Sequence, residues 1–519
     1  MAGRTGRLTR WPLPGLAAAA TVLVAALLPV VAVLVRAGGW PTLGAGDTGA
    51  LRFTLTQAAL SALLSALLAV PLARALARRR FPGRRVMLVL LGVPFVLPVI
   101  VAILGLVIVF GRQGWLNDLL ALAGLPRISI YGLHGVVLAH VFLNLPLAVR
   151  LLLSGWQAIP AERFRLAASL GCDGRATFRH LEWPMLRSVL PGTLLVIFLI
   201  CLSSFAVALT LGGGPRATTV ELAIYQAFRF DFDLGRAAGL ALIQLTLGAA
   251  AMLAALRTVR AFHAGPGLDA PLQRWDSHGP LPRALDAAIL LAAALFLFSP
   301  MLAMVLRGAG GLSQLDTATA SAALRSLAVA LTAMTLASGL ALALSLAAAG
   351  SPRAAGWFEA AGTLPLAISP FVLGTGLFLL ALRLGDPLAW ALPVTALVNA
   401  TLALPFVLRV TLPAAVAVQR DYGPLMAALD MTGPTALVRV TLPRMRPALG
   451  FGAGLAGALS MGDLGVIALF AGPDQATLPY HLYALMGAYR MDAAAGTALL
   501  LVALSLGLFW LCDRGGGHA

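Results

Sequence analysis

Lysine is absent from this chain of 519 residues: all 37 basic residues are arginine. A phosphate-binding P-loop needs a lysine to reach the β- and γ-phosphates, so the chain is not expected to hydrolyse a nucleoside triphosphate itself. Charge of either sign is scarce, at 11% of residues, against about 25% in soluble domains. Cysteine is limited to Cys172, Cys201 and Cys512, too few and too scattered for a disulfide framework or a metal cluster. The seven histidines show no ligand spacing. His134 and His140 are six apart and do not share a helical face, so core packing or hydrogen bonding between helices is their expected role. Ser203, Ser204 and the histidines lie in apolar surroundings without a matching acid, so no nucleophile, base and orienter set emerges and no enzyme is expected.

What the chain does have is apolar length. Hydrophobic residues make up 60% of it and the mean hydropathy is +0.91. A membrane-crossing helix takes about 20 apolar residues, and windows of that kind fall near 13–35, 55–76, 86–110, 132–154, 189–212 and 235–258, then 284–306, 323–349, 357–382, 388–412, 448–471 and 492–512. The expected fold is an all-α integral membrane protein of about twelve spans. The first window follows Arg4, Arg7 and Arg10 and is longer than the apolar core of a secretion signal, so it reads as a span and not a cleaved leader. With a cytoplasmic amino terminus, most arginines collect on the cytoplasmic side, as the positive-inside rule requires. The calculated pI near 11.4 then reflects topology and not nucleic-acid binding.

The chain is also duplicated. Leu143, Leu145, Pro146 and Arg150 return 259 positions later as Leu402, Leu404, Pro405 and Arg409. Leu166, Ala168 and Leu170 return as Leu425, Ala427 and Leu429, and Pro184 and Arg187 as Pro443 and Arg446. Farther on, Pro215, Thr219 and Tyr225 match Pro473, Thr477 and Tyr483. Two Pro-Arg pairs kept in register are not a by-product of apolar composition. Residues 1–260 and 284–519 read as two six-span repeats, joined by a Gly/Pro-rich cytoplasmic linker at 261–283. An even number of spans in each makes the repeats parallel, with a translocation path expected between them.

The strongest echo is a polar interruption between the fourth and fifth spans of each half. In the first, Ala167, Ala168, Gly171 and the string Leu181-Glu182-Trp183-Pro184 predict a short helix, a glycine break, a second helix and a proline stop. Arg163, Arg165, Arg175 and Arg179 make the knob basic.

This pattern resembles the cytoplasmic loop of bacterial ABC importer permeases: Glu-Ala-Ala, three residues, Gly, nine residues, then aliphatic-any-Leu-Pro. Its positions fall on Arg165, Leu166, Ala167, Gly171, Leu181, Trp183 and Pro184, and again on Pro424, Leu425, Met426, Asp430, Val440, Leu442 and Pro443. Neither half has the motif glutamate, although Glu162 and Asp421 lie three positions earlier, and Asp430 replaces the second glycine. The strings Gly111-Arg112-Gln113-Gly114-Trp115-Leu116, Tyr131-Gly132-Leu133-His134-Gly135, Leu211-Gly212-Gly213-Gly214-Pro215, Glu221-Leu222-Ala223-Ile224-Tyr225-Gln226 and Gly462-Asp463-Leu464-Gly465-Val466 resemble the fused permeases of thiamine and thiamine pyrophosphate importers. Some of them also resemble fused ferric-iron permeases.

The resemblance implies an inner-membrane, type I importer permease with no cofactor of its own. It implies two copies of a cytoplasmic ATPase that binds ATP and magnesium, and a periplasmic substrate-binding protein. Coupling to the ATPase would fall on Glu162, Arg163, Arg165, Ala167, Ala168, Gly171 and Pro184, and on Asp421, Ala427, Ala428, Asp430 and Pro443.

A six-plus-six secondary transporter shares the span count. Arg78 to Arg85 resembles the basic loop of that class but lacks its aspartate and contains Pro82, and the positive-inside rule alone explains it. Among polar residues within spans, Gln57, Asn144, Gln226, Gln244 and Asn399 are expected chiefly to bond neighbouring helices. Ser203, Ser204, Glu221, Tyr225, Ser460, Asp463 and Tyr483 are candidates for a substrate path or gate. Asp463 stands out because a carboxylate at membrane depth is costly.

Overall fold

The computed structural model describes residues 12–41, 43–92, 97–214, 217–258, 279–470 and 472–517. The described residues are all helical, without a strand, and include eleven helices long and apolar enough to cross a membrane, or twelve with one bent pair. Most of the linker at 261–283 lies outside the described residues, as do Arg4, Arg7, Arg10 and Pro215.

In the first half, α1 (Pro12–Ala37) and α2 (Ala45–Arg78) precede α3 (Arg84–Leu90), α4 (Val99–Phe110), α5 (Trp115–Leu122) and α6 (Leu133–Gln157). The loop helices α7 (Ala161–Ser169) and α8 (Gly174–Thr177) lead into α9 (Trp183–Leu202), α10 (Phe205–Leu211), α11 (Val220–Arg229) and α12 (Leu234–Thr258). The second half repeats the order with α13 (Pro280–Gly311), α14 (Thr317–Gly350), α15 (Ala355–Thr363), α16 (Pro370–Ala381) and α17 (Ala391–Ala428). It closes with α18 (Gly433–Ala436), α19 (Leu442–Met461), α20 (Gly465–Phe470), α21 (Leu478–Gly487) and α22 (Met491–Gly517).

Hydropathy alone does not reveal where apolar runs break. The window at 86–110 is interrupted between α3 and α4, just before Val99, where Pro98 is extended. Its counterpart at 357–382 bends by 89° between α15 and α16, where Pro370 opens the second helix. Proline lacks the N–H that an uninterrupted helix needs, and such breaks survive at membrane depth only where protein satisfies the freed groups.

Two compact units result, and they are not the two halves read along the sequence. One comprises Met1–Thr42, Ala223–Leu245 and Arg307–Ala519; the other comprises Leu43–Leu222 and Thr246–Leu306. The leading span of each half thus packs among helices of the opposite half. In the first unit, Ala18, Ala19 and Val22 of α1 join a buried cluster with Ala337, Ala341 and Phe358. There the backbone of Pro29 sits so close to Gly376 that any side chain on that glycine would collide with it. In the second unit, Phe296 of α13 meets Phe142 edge-on at 5.8 Å, and a Cβ on Gly105 would stand 2.6 Å from the Pro300 carbonyl oxygen. Small residues allow such approach where lipid supplies no hydrophobic drive between helices. Gly376→Val is therefore expected to destabilise the protein by about 1–3 kcal/mol, read as a lowered Tm in detergent, and an unchanged Tm would refute close α1–α16 packing.

Candidate functional site

The polar interruptions fold the same way twice. At the end of α7, Cys172 N–H donates to Ala167 O at 2.9 Å and Gly171 N–H to Ala168 O at 3.1 Å. In the second loop, Met431 N–H donates to Met426 O at 2.8 Å and Asp430 N–H to Ala427 O at 3.2 Å. These paired bonds form the Schellman turn that ends a helix when its next residue is left-handed. Gly171 has φ +67° and Asp430 φ +49°. Aspartate is among the few side chains that enter this region, so the missing glycine of the second motif leaves the turn intact.

Beyond each turn, the expected proline stop is not there. The helix runs on from Gly174 to Leu202 through a widened π turn at Phe178–Glu182, and from Gly433 through a second at Leu437–Thr441. Trp183 N–H reaches back to Phe178 O, and Leu442 N–H to Leu437 O, five residues in each case. That extra residue per turn absorbs the bond that Pro184 and Pro443 cannot make.

Each loop buries one face and presents the other. Phe164 and Ala167 are buried, while Leu166 and Leu170 are 60% and 70% exposed. Met426 is buried, while Leu425 and Leu429 are 55% and 62% exposed. Arg163, Arg165, Ala168, Gly171 and Pro184 are exposed, as are Asp421, Ala427, Ala428 and Asp430, whereas Pro443 is half-buried. Glu162 lies 3.9 Å from Arg165, and Asp421 pairs with Arg420 at 2.8 Å. Paired exposed leucines ringed by charge suit a protein partner.

A second polar feature lies where the spans break again. α9 gives way to α10 at Ser203 and Ser204, and α19 to α20 at Gly462, Asp463 and Leu464. In the first break, His140 Nε2 and Ser204 Oγ are 2.6 Å apart, and His140 Nδ1 and Ser61 Oγ 3.2 Å apart. Gln57 donates to Cys201 O at 2.7 Å, and Asn144 to His140 O at 2.9 Å. In the second, Asn399 donates to Ser460 Oγ at 3.0 Å, and Asp463 Oδ1 accepts the Gly465 N–H at 3.1 Å. The Asp463 carboxylate is buried and also faces the Val466 N–H and the Asn399 amide. His140 and Asn399 stand 259 positions apart, as do Ser204 and Asp463, so each repeat aims a polar side chain at its own break. Gln57 and Asn399 bond neighbouring helices, as expected, and Asn144 adds to the bond within its own helix a contact to Cys201 Sγ of α9 at 3.4 Å. Ser203 is exposed and Ser460 buried. A search for ligand spacing passes over His140, whose partners lie 79 and 64 residues away.

The short helices after these breaks hold the remaining candidates. Val220 N–H at the start of α11 donates to Thr54 Oγ1 at 2.9 Å, and Leu478 N–H at the start of α21 to Ser326 Oγ at 2.7 Å. Glu221 is buried on α11. Tyr225 packs edge-on against Phe230 at 5.9 Å. Burial pushes its hydroxyl up to about 12, with Tyr480 and Tyr483 adding to the rise and Arg229 opposing it. Tyr483 is raised by burial and then by Tyr480, so Tyr225 and Tyr483 share one neighbourhood.

The start of α14 carries a titratable cap. Asp316 accepts from the Thr319 N–H at 2.8 Å and from its hydroxyl at 2.7 Å, and these bonds depress the Asp316 pKa. A lowered folded-state pKa gives stability that is present above the unfolded carboxylate value, about 3.9, and is lost as pH falls through the folded one. Asp316→Ala should cost about 1 kcal/mol at neutral pH and little in strong acid, as measured by thermal unfolding at both.

No protein-family model matches the chain. Among curated proteins it is similar to the thiamine transport system permease protein ThiP of Salmonella typhimurium, 40% identical over 528 residues that cover 98% of this chain and 97% of the relative. The protein of the same description from Escherichia coli is 40% identical over 522 residues, covering 97% and 96%. A sulfate transport system permease protein of Synechococcus elongatus matches 149 residues at 28% identity, covering 28% and 51%. Identity of this order over nearly the full length, on an all-helical multi-pass architecture, places the chain in the family of thiamine transport system permease proteins, membrane subunits of ABC importers.

Proposed function

We propose that this permease carries thiamine, its phosphates or both from periplasm to cytoplasm, powered by a separate ATPase. The observation that carries the coupling half of this reading is the pair of matching loops, each a left-handed turn presenting exposed leucines. The thiamine half comes from the relatives, which are thiamine transport permeases over almost their entire length. Two copies of the ATPase, with ATP and magnesium bound there, would engage the loops at 162–184 and 421–443. A periplasmic binding protein would deliver the substrate, and the amino terminus would be cytoplasmic, in keeping with the arginine distribution.

ATP would draw the ATPase subunits together, the loops would follow, and the path would open outward. Nucleotide and substrate each contribute only through their differential affinity for the inward- and outward-open states. The candidates for the path or gate are Ser203, Ser204, Glu221, Tyr225, Ser460, Asp463 and Tyr483.

The deciding experiment is uptake into vesicles containing this chain with its cognate ATPase and binding protein. Labelled thiamine should accumulate with ATP and ferric iron should not. Iron uptake without thiamine uptake would overturn the substrate, and uptake independent of the ATPase would overturn the mechanism.

A further inference from the structure

The arginines that end α2 do more than satisfy membrane topology. Arg74 Nε donates to Glu182 Oε2 at 2.6 Å, and its guanidinium also lies over the Phe178 ring, 5.0 Å from the centroid. Phe178 and Glu182 are the first and last residues of the π turn, so one side chain from α2 grips both ends of the segment joining the first loop to α9. The Glu182 side chain is fully buried and that of Arg74 is 23% exposed. One turn farther along α2, Arg78 Nε and Arg79 Nε reach Asp286 of α13 at 2.8 and 2.6 Å. Loop, α2 and α13 are therefore joined in series by charge-assisted bonds within one compact unit.

The second loop is built without this link. The position 259 residues after Glu182 is Thr441, whose hydroxyl bonds Ala436 O inside its own turn at 3.3 Å. The corresponding end of α14, Ala341 to Gly350, contains no charged residue. Arg444 stacks instead on Tyr422, 4.8 Å from the ring centroid. A buried ion pair is poor evidence for stability, since apolar residues of similar volume often serve as well. What it provides is a directional, charge-assisted connection between elements, and single π turns inside α-helices frequently lie at functional sites.

We infer that Arg74 and Glu182 are positioning residues that transmit movement of the first loop into α2, and through Arg78, Arg79 and Asp286 into α13, making the two coupling loops mechanically unequal. This rests on the proposed docking of the loop at 162–184 on the ATPase.

The test uses the complete complex of permease, ATPase and binding protein in liposomes, reading ATP hydrolysed and thiamine accumulated together. Glu182→Gln should keep the ATPase bound and hydrolysing while uptake per ATP falls about fivefold or more. Thr441→Val, at the matching place in the second loop, should change that ratio by less than about twofold. The exchanged pair Arg74→Glu with Glu182→Arg should recover much of the loss. In parallel, Leu166→Cys in a Cys172→Ser background, cross-linked to the ATPase, reports docking on its own. No cross-link would overturn the docking reading and this inference with it. A cross-link together with an unchanged ratio in Glu182→Gln would overturn the inference alone. Should Glu182→Gln not assemble, Arg74→Gln, at a partly exposed position, is read by the same two outcomes.

Discussion

Gly171→Ile is expected to cut substrate uptake by about tenfold or more while the membrane helices stay folded. Space is not the obstacle, because a Cβ on Gly171 would meet nothing within 4 Å. Conformation is. The turn holds φ at +67°, and its two hydrogen bonds depend on that value. A β-branched residue held in such a region costs about 1–3 kcal/mol. An exposed turn with no covering structure relieves that strain by rearranging, which moves Leu166 and Leu170 away from the geometry the ATPase would meet. ATP hydrolysis should then run uncoupled, or the ATPase should leave the complex. Gly171→Asn should retain function, since asparagine tolerates a left-handed backbone, and Asp430→Gly should be neutral or slightly stabilising. Normal coupled uptake by Gly171→Ile would remove the first loop from the mechanism.

Asp463→Asn is the second large effect. One carboxylate oxygen caps the start of α20 through Gly465, and the buried carboxylate also faces the Val466 N–H and the Asn399 amide. A carboxylate at this depth is expensive to keep. Thiamine carries a fixed positive charge on its thiazolium ring, which an anionic side chain on the path would attract. Asparagine caps helices about as well as aspartate but has no charge, so the substitution separates the two roles. Loss of that charge–charge attraction, on the order of 1.4 kcal/mol or more for a partly desolvated pair, should lower thiamine uptake about tenfold, with the ATPase still bound and active. Full uptake by Asp463→Asn combined with loss in Asp463→Leu would assign the residue to capping alone.

Both expectations start from positions visible along the chain, and both needed coordinates to become specific. The motif spacing makes 171 and 430 equivalent, with aspartate at the second in place of glycine. Only the backbone shows that the two adopt one turn, at φ +67° and +49°. Pro184 and Pro443 were legible as the end of a segment, but their role changed. A π turn is a register adjustment paid for by packing, with no composition of its own, so nothing in the residues announced it. Glu182 sat in plain view within the motif string. Its partner, Arg74, is 108 residues away, and no periodicity argument reaches that far.

By itself, the amino-acid order determined that this is a duplicated, multi-span helical membrane protein without a P-loop lysine. Helix length follows from the thickness of hydrocarbon to be crossed, and a repeat offset of 259 is a property of the string of residues. Tertiary structure alone decided which helices pack together. α1 and α13 are nearly uniform apolar runs, and lipid is as apolar as they are, so their composition favours no neighbour. The choice falls to close fits such as Pro29 against Gly376 and Pro300 against Gly105, and to the pairing of Asp286 with Arg78 and Arg79. Such fits exist only once backbones distant in sequence have met.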